Sequence, residues 1–237
     1  MNKEKLFRLG KSYYDEEKYE EAYYYFLEAS MSGDAHAMVY LGLLYLYGEY
    51  VDRSYKKAFH YFCESYVASN EEIAMAYISM ERDEITKSEE GKREYRDFID
   101  FMIKSHNRRI YIVQAEEYGK GDIYLKSIQN KIACYEEAIR LGENMGAECL
   151  GQMYYLGDEV ECDYEKSYRY FQNHEGFESF TKPYYLGEMY RKGCYLEQDT
   201  DKAIREYRKI VDADWPYKSV DSFYSLAIER LQELQSL

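Results

Sequence analysis

Residues 37–48 read Ala37-Met38-Val39-Tyr40-Leu41-Gly42-Leu43-Leu44-Tyr45-Leu46-Tyr47-Gly48, and a short loop then leads to Ser54-Tyr55-Lys56-Lys57-Ala58-Phe59-His60-Tyr61-Phe62. The first run is apolar, with one glycine in its middle and another at its end. Glycine inside a helix costs about 1 kcal/mol relative to alanine, which makes sense where a neighbouring helix must approach closely. The second glycine suits the left-handed residue that terminates helices. Ser54 is an N-cap type, able to accept from the first free N–H groups of the next helix. Ala58, Tyr61, Phe62, Ser65 and Tyr66 then share one helix face at spacings of three and four. The stretch predicts helix A, glycine stop, loop, cap and helix B.

The same order recurs along the chain. Phe26, Phe62, Phe98, Tyr135, Phe171 and Tyr207 follow one another at steps of 36, 36, 37, 36 and 36 residues. Twenty residues before the later five stand Gly42, Ile78, Ala115, Gly151 and Gly187. Tyr13, Tyr45, Tyr118, Tyr154 and Tyr190 form a further ladder, stop glycines recur at Gly48, Gly121, Gly157 and Gly193, and caps at Ser54, Ser127, Asp163 and Asp199. One helix pair cannot bury its apolar stripe alone, so stacked neighbours must complete the core; the fold class is an all-α solenoid of antiparallel helix pairs. The units run over about 3–34, 35–70, 71–107, 108–143, 144–179 and 180–215. A closing helix at about 217–236, led in by Trp215-Pro216 and carrying Leu226, Ile228, Leu231 and Leu234, is expected to cover the end of the stack. In the first unit Gly10 to Ala22 spans 12 residues where Gly42 to Ala58 spans 16, so its loop is four residues shorter. Unit 71–107 departs most, with Ile78, Glu81 and Glu84 in place of the small residue, the tyrosine and the glycine.

Composition narrows the function. Of 237 residues 31 are tyrosine, many at fixed repeat registers, and a hydrophobic content of 46% supports a folded core. Lys+Arg minus Asp+Glu is 31 − 45 = −14, which disfavours phosphate backbones and anionic membrane surfaces. Val39–Tyr47 is too short for a bilayer span, and Met1–Phe7 has no apolar leader, so a cytoplasmic protein is expected. Cys63, Cys134, Cys149, Cys162 and Cys194 form no CxxC pair and read as inert thiols. His60 and Cys63 lie three apart without further ligands nearby, a structural pair rather than a metal site. His36, His106 and His174 are scattered, Gly119-Lys120-Gly121-Asp122 falls at a helix stop and reads as a turn, and no GxSxG, P-loop or HExxH occurs. No catalytic residue, metal or cofactor is expected, and the oligomeric state is left open.

The run 37–48 with Val51, Tyr55, Lys57-Ala58 and Tyr61-Phe62 resembles a Sel1-like repeat. Ala147, Leu150-Gly151, Tyr154, Gly157, Val160, Asp163 to Lys166 and Tyr170-Phe171 resemble it too, as do Leu186-Gly187, Tyr190, Gly193, Leu196, Asp199 and Lys202-Ala203. The first unit looks like the related tetratricopeptide repeat. The resemblance spans essentially the whole chain and implies a right-handed superhelical solenoid. It also implies an adaptor or scaffold of bacterial type that binds a protein or peptide. An immunity or inhibitor protein neutralising a toxin, for which an acidic surface would suit a basic target, and a secreted effector are the alternatives. In tetratricopeptide-type solenoids helix A lines the concave face. Carried over, that geometry places inward residues at −6, −3, +1, +4 and +5 from the small residue. These are Phe7, Lys11 and Tyr14, then His36, Val39, Leu43, Leu46 and Tyr47, then Met75 and Arg82. Arg109, Met145, Gln152, Tyr155, Tyr184, Glu188 and Arg191 complete the predicted partner-binding set.

Overall fold

The structure, a computed structural model, describes residues 2–69, 73–172, 179–214 and 221–235; Trp215, Pro216 and His174 lie outside them. Among the described residues every regular element is an α-helix, thirteen in all, and the chain is an all-α helical repeat protein. It divides into two compact units, residues 1–110 with 120–125, and residues 111–119 with 126–237.

The first unit holds α1 (Lys3–Asp15), α2 (Tyr19–Met31), α3 (Ala35–Tyr47), α4 (Tyr55–Ser69), α5 (Ile73–Ile85) and α6 (Glu89–Lys104). Most of α7 (Ile110–Lys120) belongs to the second unit. That unit continues with α8 (Ile128–Arg140), α9 (Met145–Leu156), α10 (Tyr164–Gln172), α11 (Thr181–Lys192), α12 (Thr200–Val211) and α13 (Ser222–Gln235).

The loops follow the punctuation of the sequence. Gly48, Gly157 and Gly193 end α3, α9 and α11 in the left-handed region, at φ 76°, 69° and 69°. All four predicted caps accept from the backbone N–H three residues on: Ser54 at 3.3 Å, Ser127 at 3.2 Å, Asp163 and Asp199 at 2.9 Å. Each cap residue's own N–H returns to the carbonyl of the ladder tyrosine, Ser54 to Tyr45, Ser127 to Tyr118, Asp163 to Tyr154 and Asp199 to Tyr190, at 2.9–3.2 Å. One bond therefore closes the same loop in four repeats, including unit 108–143, whose small residue is Ala115 rather than glycine.

Within a hairpin the small residue receives the helix B ring. A Cβ added to Gly10 would stand 2.7 Å from the Phe26 ring, at Gly151 2.6 Å from Phe171, and at Gly187 2.6 Å from Tyr207; Gly42 meets Phe62 in the same way. Phe26, Phe62, Phe171 and Tyr207 are fully buried in consequence. Gly151→Ala should therefore destabilise the second unit by about 1–2 kcal/mol. The gain of about 1 kcal/mol in helix propensity is outweighed by displacing a ring that has no free space to enter. Urea denaturation checks this, and a stabilised variant would show that the slot is loose.

The tyrosine excess has a repeated structural use. Tyr13 stacks on Tyr25, Tyr45 on Tyr61 and Tyr154 on Tyr170, with ring centroids 5.4–5.9 Å apart. A lysine from the start of helix B lies over the ladder ring: Lys57 over Tyr45 at 4.7 Å, Lys166 over Tyr154 at 5.0 Å and Lys202 over Tyr190 at 5.3 Å.

Residues 73–104 are built differently. Only residues 86–88 join α5 to α6, where seven join α3 to α4. Isoleucine at position 78 offers no slot for a ring, and Phe98 lies instead on Phe59 of α4, 5.4 Å between centroids, with Tyr95 at 6.3 Å from the same ring. The segment 120–125 returns to this unit: Asp122 pairs with Arg82 at 3.0 Å, Tyr124 donates to Asp100 at 3.4 Å, and Arg96 donates to the Ile123 carbonyl. Gly121 turns the chain there with φ 84°, at the predicted stop. Among the described residues no helix is long and apolar enough to cross a membrane.

Candidate functional site

Helix A of each repeat carries the predicted residues, and packing sorts them by register. The −3 and +1 positions turn toward the following helix. Phe7, at −3 in α1, lies 5.5 Å from His36 and 5.7 Å from Tyr40 of α3, and Lys11, at +1, places its ammonium 5.6 Å from the Tyr40 ring centre while pairing with Asp15. Val39 and Leu43 of α3 are buried outright, with 1% and 2% exposure, and Leu46 is buried beside them.

What remains on the surface of the first unit is an aromatic strip. Tyr14 meets the Tyr40 ring edge-on at 5.1 Å, and Tyr40 stacks on Phe26 at 4.9 Å. His36 is exposed, Phe7, Tyr14, Tyr40 and Met75 are half-buried, and Tyr47 is 42% exposed. The Tyr47 hydroxyl donates to Glu81 at 3.1 Å. Burial, then that bond, pushes the phenol up to about 12, and burial followed by Glu49 raises Tyr14 as well. These hydroxyls stay neutral at physiological pH and remain donors. Arg109 is exposed, whereas Arg82 is buried and engaged with Asp83 at 3.1 Å and Asp122 at 3.0 Å. Tyr40 is not among the predicted residues because it falls at −2, a register the repeat pattern assigns to no face; its signal is a ring between Val39 and Leu41, off the ladder that Tyr45 occupies.

In the second unit Met145 is 50% exposed and Gln152 half-buried, while Tyr155, Tyr184 and Glu188 are buried. Tyr155 packs on Tyr185 at 4.8 Å and its hydroxyl accepts from Lys192 at 3.1 Å. Helix α13 stands where a further helix A would stand. Its Phe223 lies 5.0 Å from Tyr184, at −3, and its Arg230 donates to Glu188, at +1, at 3.1 Å. Glu188 also accepts from Arg191 at 2.8 and 3.0 Å, Lys192 at 2.9 Å and the Tyr207 hydroxyl at 2.7 Å. Burial alone would push this carboxyl up, but the bonds from Arg191, Lys192 and Tyr207 outweigh it and hold it down at about 2. Glu188 therefore joins the last repeat to the closing helix, and Arg191 supports its carboxylate from within α11.

The thiols divide by exposure. Cys63 is pushed up to about 12, and Cys134 and Cys149 to about 11, chiefly by burial; Cys162 is exposed. Iodoacetamide at pH 8 should modify Cys162 well ahead of these three, as read by peptide mass spectrometry, and equal rates would contradict the packing. Among the described residues no group of three or more His, Cys, Asp or Glu side chains converges as metal ligands would.

Paired helices, ring-into-glycine hairpins and a recurrent capped loop define a helical repeat protein of the tetratricopeptide-related class. The family model of the Sel1 repeat matches residues 6–34, 35–66, 145–173 and 184–210, and the chain is a Sel1-like repeat protein. Its fold is similar to that of a Sel1 repeat protein from Oxalobacter formigenes, with 18% identity and a TM-score of 0.54 over 96% of both chains. It is also similar to a protective antigen of uropathogenic Escherichia coli displaying an SLR fold, with 18% identity and a TM-score of 0.55 over 96% of this chain. That match covers 54% of the antigen, so this chain spans about half its length. No curated protein matches the chain significantly. Repeats of this class are in general protein–protein interaction modules.

Proposed function

We propose that this chain is a protein–protein interaction adaptor that holds a peptide or protein domain against the helix A surface of its first unit and performs no chemistry of its own. The observation that carries this reading is the strip from Phe7 and His36 through Tyr40 and Tyr14 to Tyr47. Half-exposed aromatic side chains with neutral hydroxyls suit recognition: they bury much apolar area at little entropic cost and keep a polar handle. Lys11 and Glu81 at the strip supply charged neighbours that favour one orientation of the bound segment. Val39 and Leu43, buried in α3, hold this surface rigid and do not meet the partner.

The test is affinity capture from the native host with the unaltered chain and with a His36→Glu/Tyr47→Ala double variant. Both positions are exposed, so the fold should survive. A recovered partner should bind the variant at least about thirtyfold more weakly, as expected for loss of one or two central aromatic contacts. Undiminished binding by a correctly folded double variant would move the site elsewhere.

A further inference from the structure

A large furrow of the first unit is lined by α4 and α6 and by Met38 of α3, and none of the strip residues lines it. It is open, with a volume of about 670 Å³ between α3, α4 and α6. Phe59 and Phe98, in contact at 5.4 Å, form its floor, and Met38, Cys63, Val67 and Phe101 add apolar wall. Its position follows from the irregular third repeat. Here α6 lies along α4, with the Phe98 ring on Phe59, and the furrow opens between the two helices above the ring pair. Val67, at the edge of the furrow, is 74% exposed.

The geometry points to a docking groove for a cationic amphipathic helix of a partner protein. Three features select that occupant. The α4 wall from Lys56 to Val67 is three turns long, roughly 16 Å at about 1.5 Å per residue, which matches a short helix laid in a groove with its apolar side chains at i, i+3 or i+4 and i+7. The volume accepts large apolar side chains and falls in the range of specific binding cavities, about 300–1,000 Å³. The rim carries three carboxylates, Glu94 and Asp97 on α6 and Glu64 on α4, against two permanent cations, Lys56 and the Arg93 that pairs with Glu94 at 3.3 Å. Lysine or arginine beside the apolar anchors meets these carboxylates, whereas a second copy of this chain, at −14, is repelled by them. Cys63 stays a neutral thiol in this setting and serves the groove as an apolar surface.

The experiment uses the full chain and a fluorescent 15-residue helix of leucine and lysine, with two controls: the same sequence carrying glutamate for lysine, and a scrambled sequence of identical composition. Anisotropy at physiological ionic strength should show binding of the cationic amphipathic peptide and at least tenfold weaker binding of either control. Val67→Arg and Asp97→Lys, both at exposed positions, should each weaken the cationic peptide at least tenfold. Glu165→Lys in the second unit and Tyr47→Ala on the aromatic strip should leave its affinity unchanged, so failure here is distinct from failure of the strip. The bound peptide should slow alkylation of Cys63 while leaving Cys162 unaffected. Equal affinity for the controls, equal loss with Glu165→Lys, or an unprotected Cys63 would each overturn the groove as the site. Self-association abolished by Val67→Arg would assign it to a second copy instead.

Discussion

Replacing Glu188 with alanine is expected to destabilise the second unit by about 3–5 kcal/mol, the usual loss when one partner of a buried ionic cluster is removed. Arg191, Lys192 and Arg230 would lose the carboxylate they share, and the Tyr207 hydroxyl would lose its acceptor. The same cluster predicts an acid-sensitive contribution. The Glu188 carboxyl is held at about 2 against an ordinary value of 4.5, so its stabilisation is complete above pH 4.5, declines as the pH falls and is gone below pH 2. Each tenfold change in proton affinity is worth about 1.4 kcal/mol, so the total is on the order of 3 kcal/mol. Glu188→Gln keeps the volume and removes the charge, so its stability loss at pH 7 should disappear near pH 2. A loss that persists unchanged at pH 2 would show that packing, not charge, is what the residue provides.

Phe62→Ala should cost the first unit about 3–5 kcal/mol, the range for emptying a fully buried aromatic site. Phe62 is fully buried, its ring fills the slot at Gly42 and stands at 6.1 Å from Phe59. The cavity cannot close by a small shift, because α3 and α4 are fixed at the adjoining loop by the Ser54-to-Tyr45 backbone bond and by the cap at Ser54. Phe62→Leu should cost less than half as much. Chemical denaturation monitored by circular dichroism compares them; equal losses would mean that ring shape is immaterial to the hairpin.

Much of this architecture is legible because glycine, ring and cap are local demands that recur at a fixed spacing. Gly151 needs Phe171 twenty residues on, and Asp163 needs the N–H of Lys166 three residues on; neither depends on distant parts of the chain. The candidate binding surface is less legible, because a helix in a stack buries two flanks and periodicity does not say which flank a register joins. Phe7 and Tyr184 share the −3 position and both pack on the helix after next, Phe7 on Tyr40 of α3 and Tyr184 on Phe223 of α13. Glu188 looks like a surface carboxylate in the sequence; its burial depends on Arg230, 42 residues further on in α13. The irregular third repeat hid a different fact: Phe98 keeps the period yet rests on the preceding helix B, and the cavity beside it follows from that contact.

The central claim, that the aromatic strip of the first unit is where a protein partner sits, is tested most directly by site-specific photo-crosslinking in the host. A benzoylphenylalanine is placed in turn at positions 36 and 47 on the strip, and at positions 31 and 125, which are 83% and 91% exposed but off it. The strip positions should give one discrete protein adduct, identical from both, and the off-strip positions none. Adducts from 31 or 125 with none from 36 and 47 would contradict the assignment.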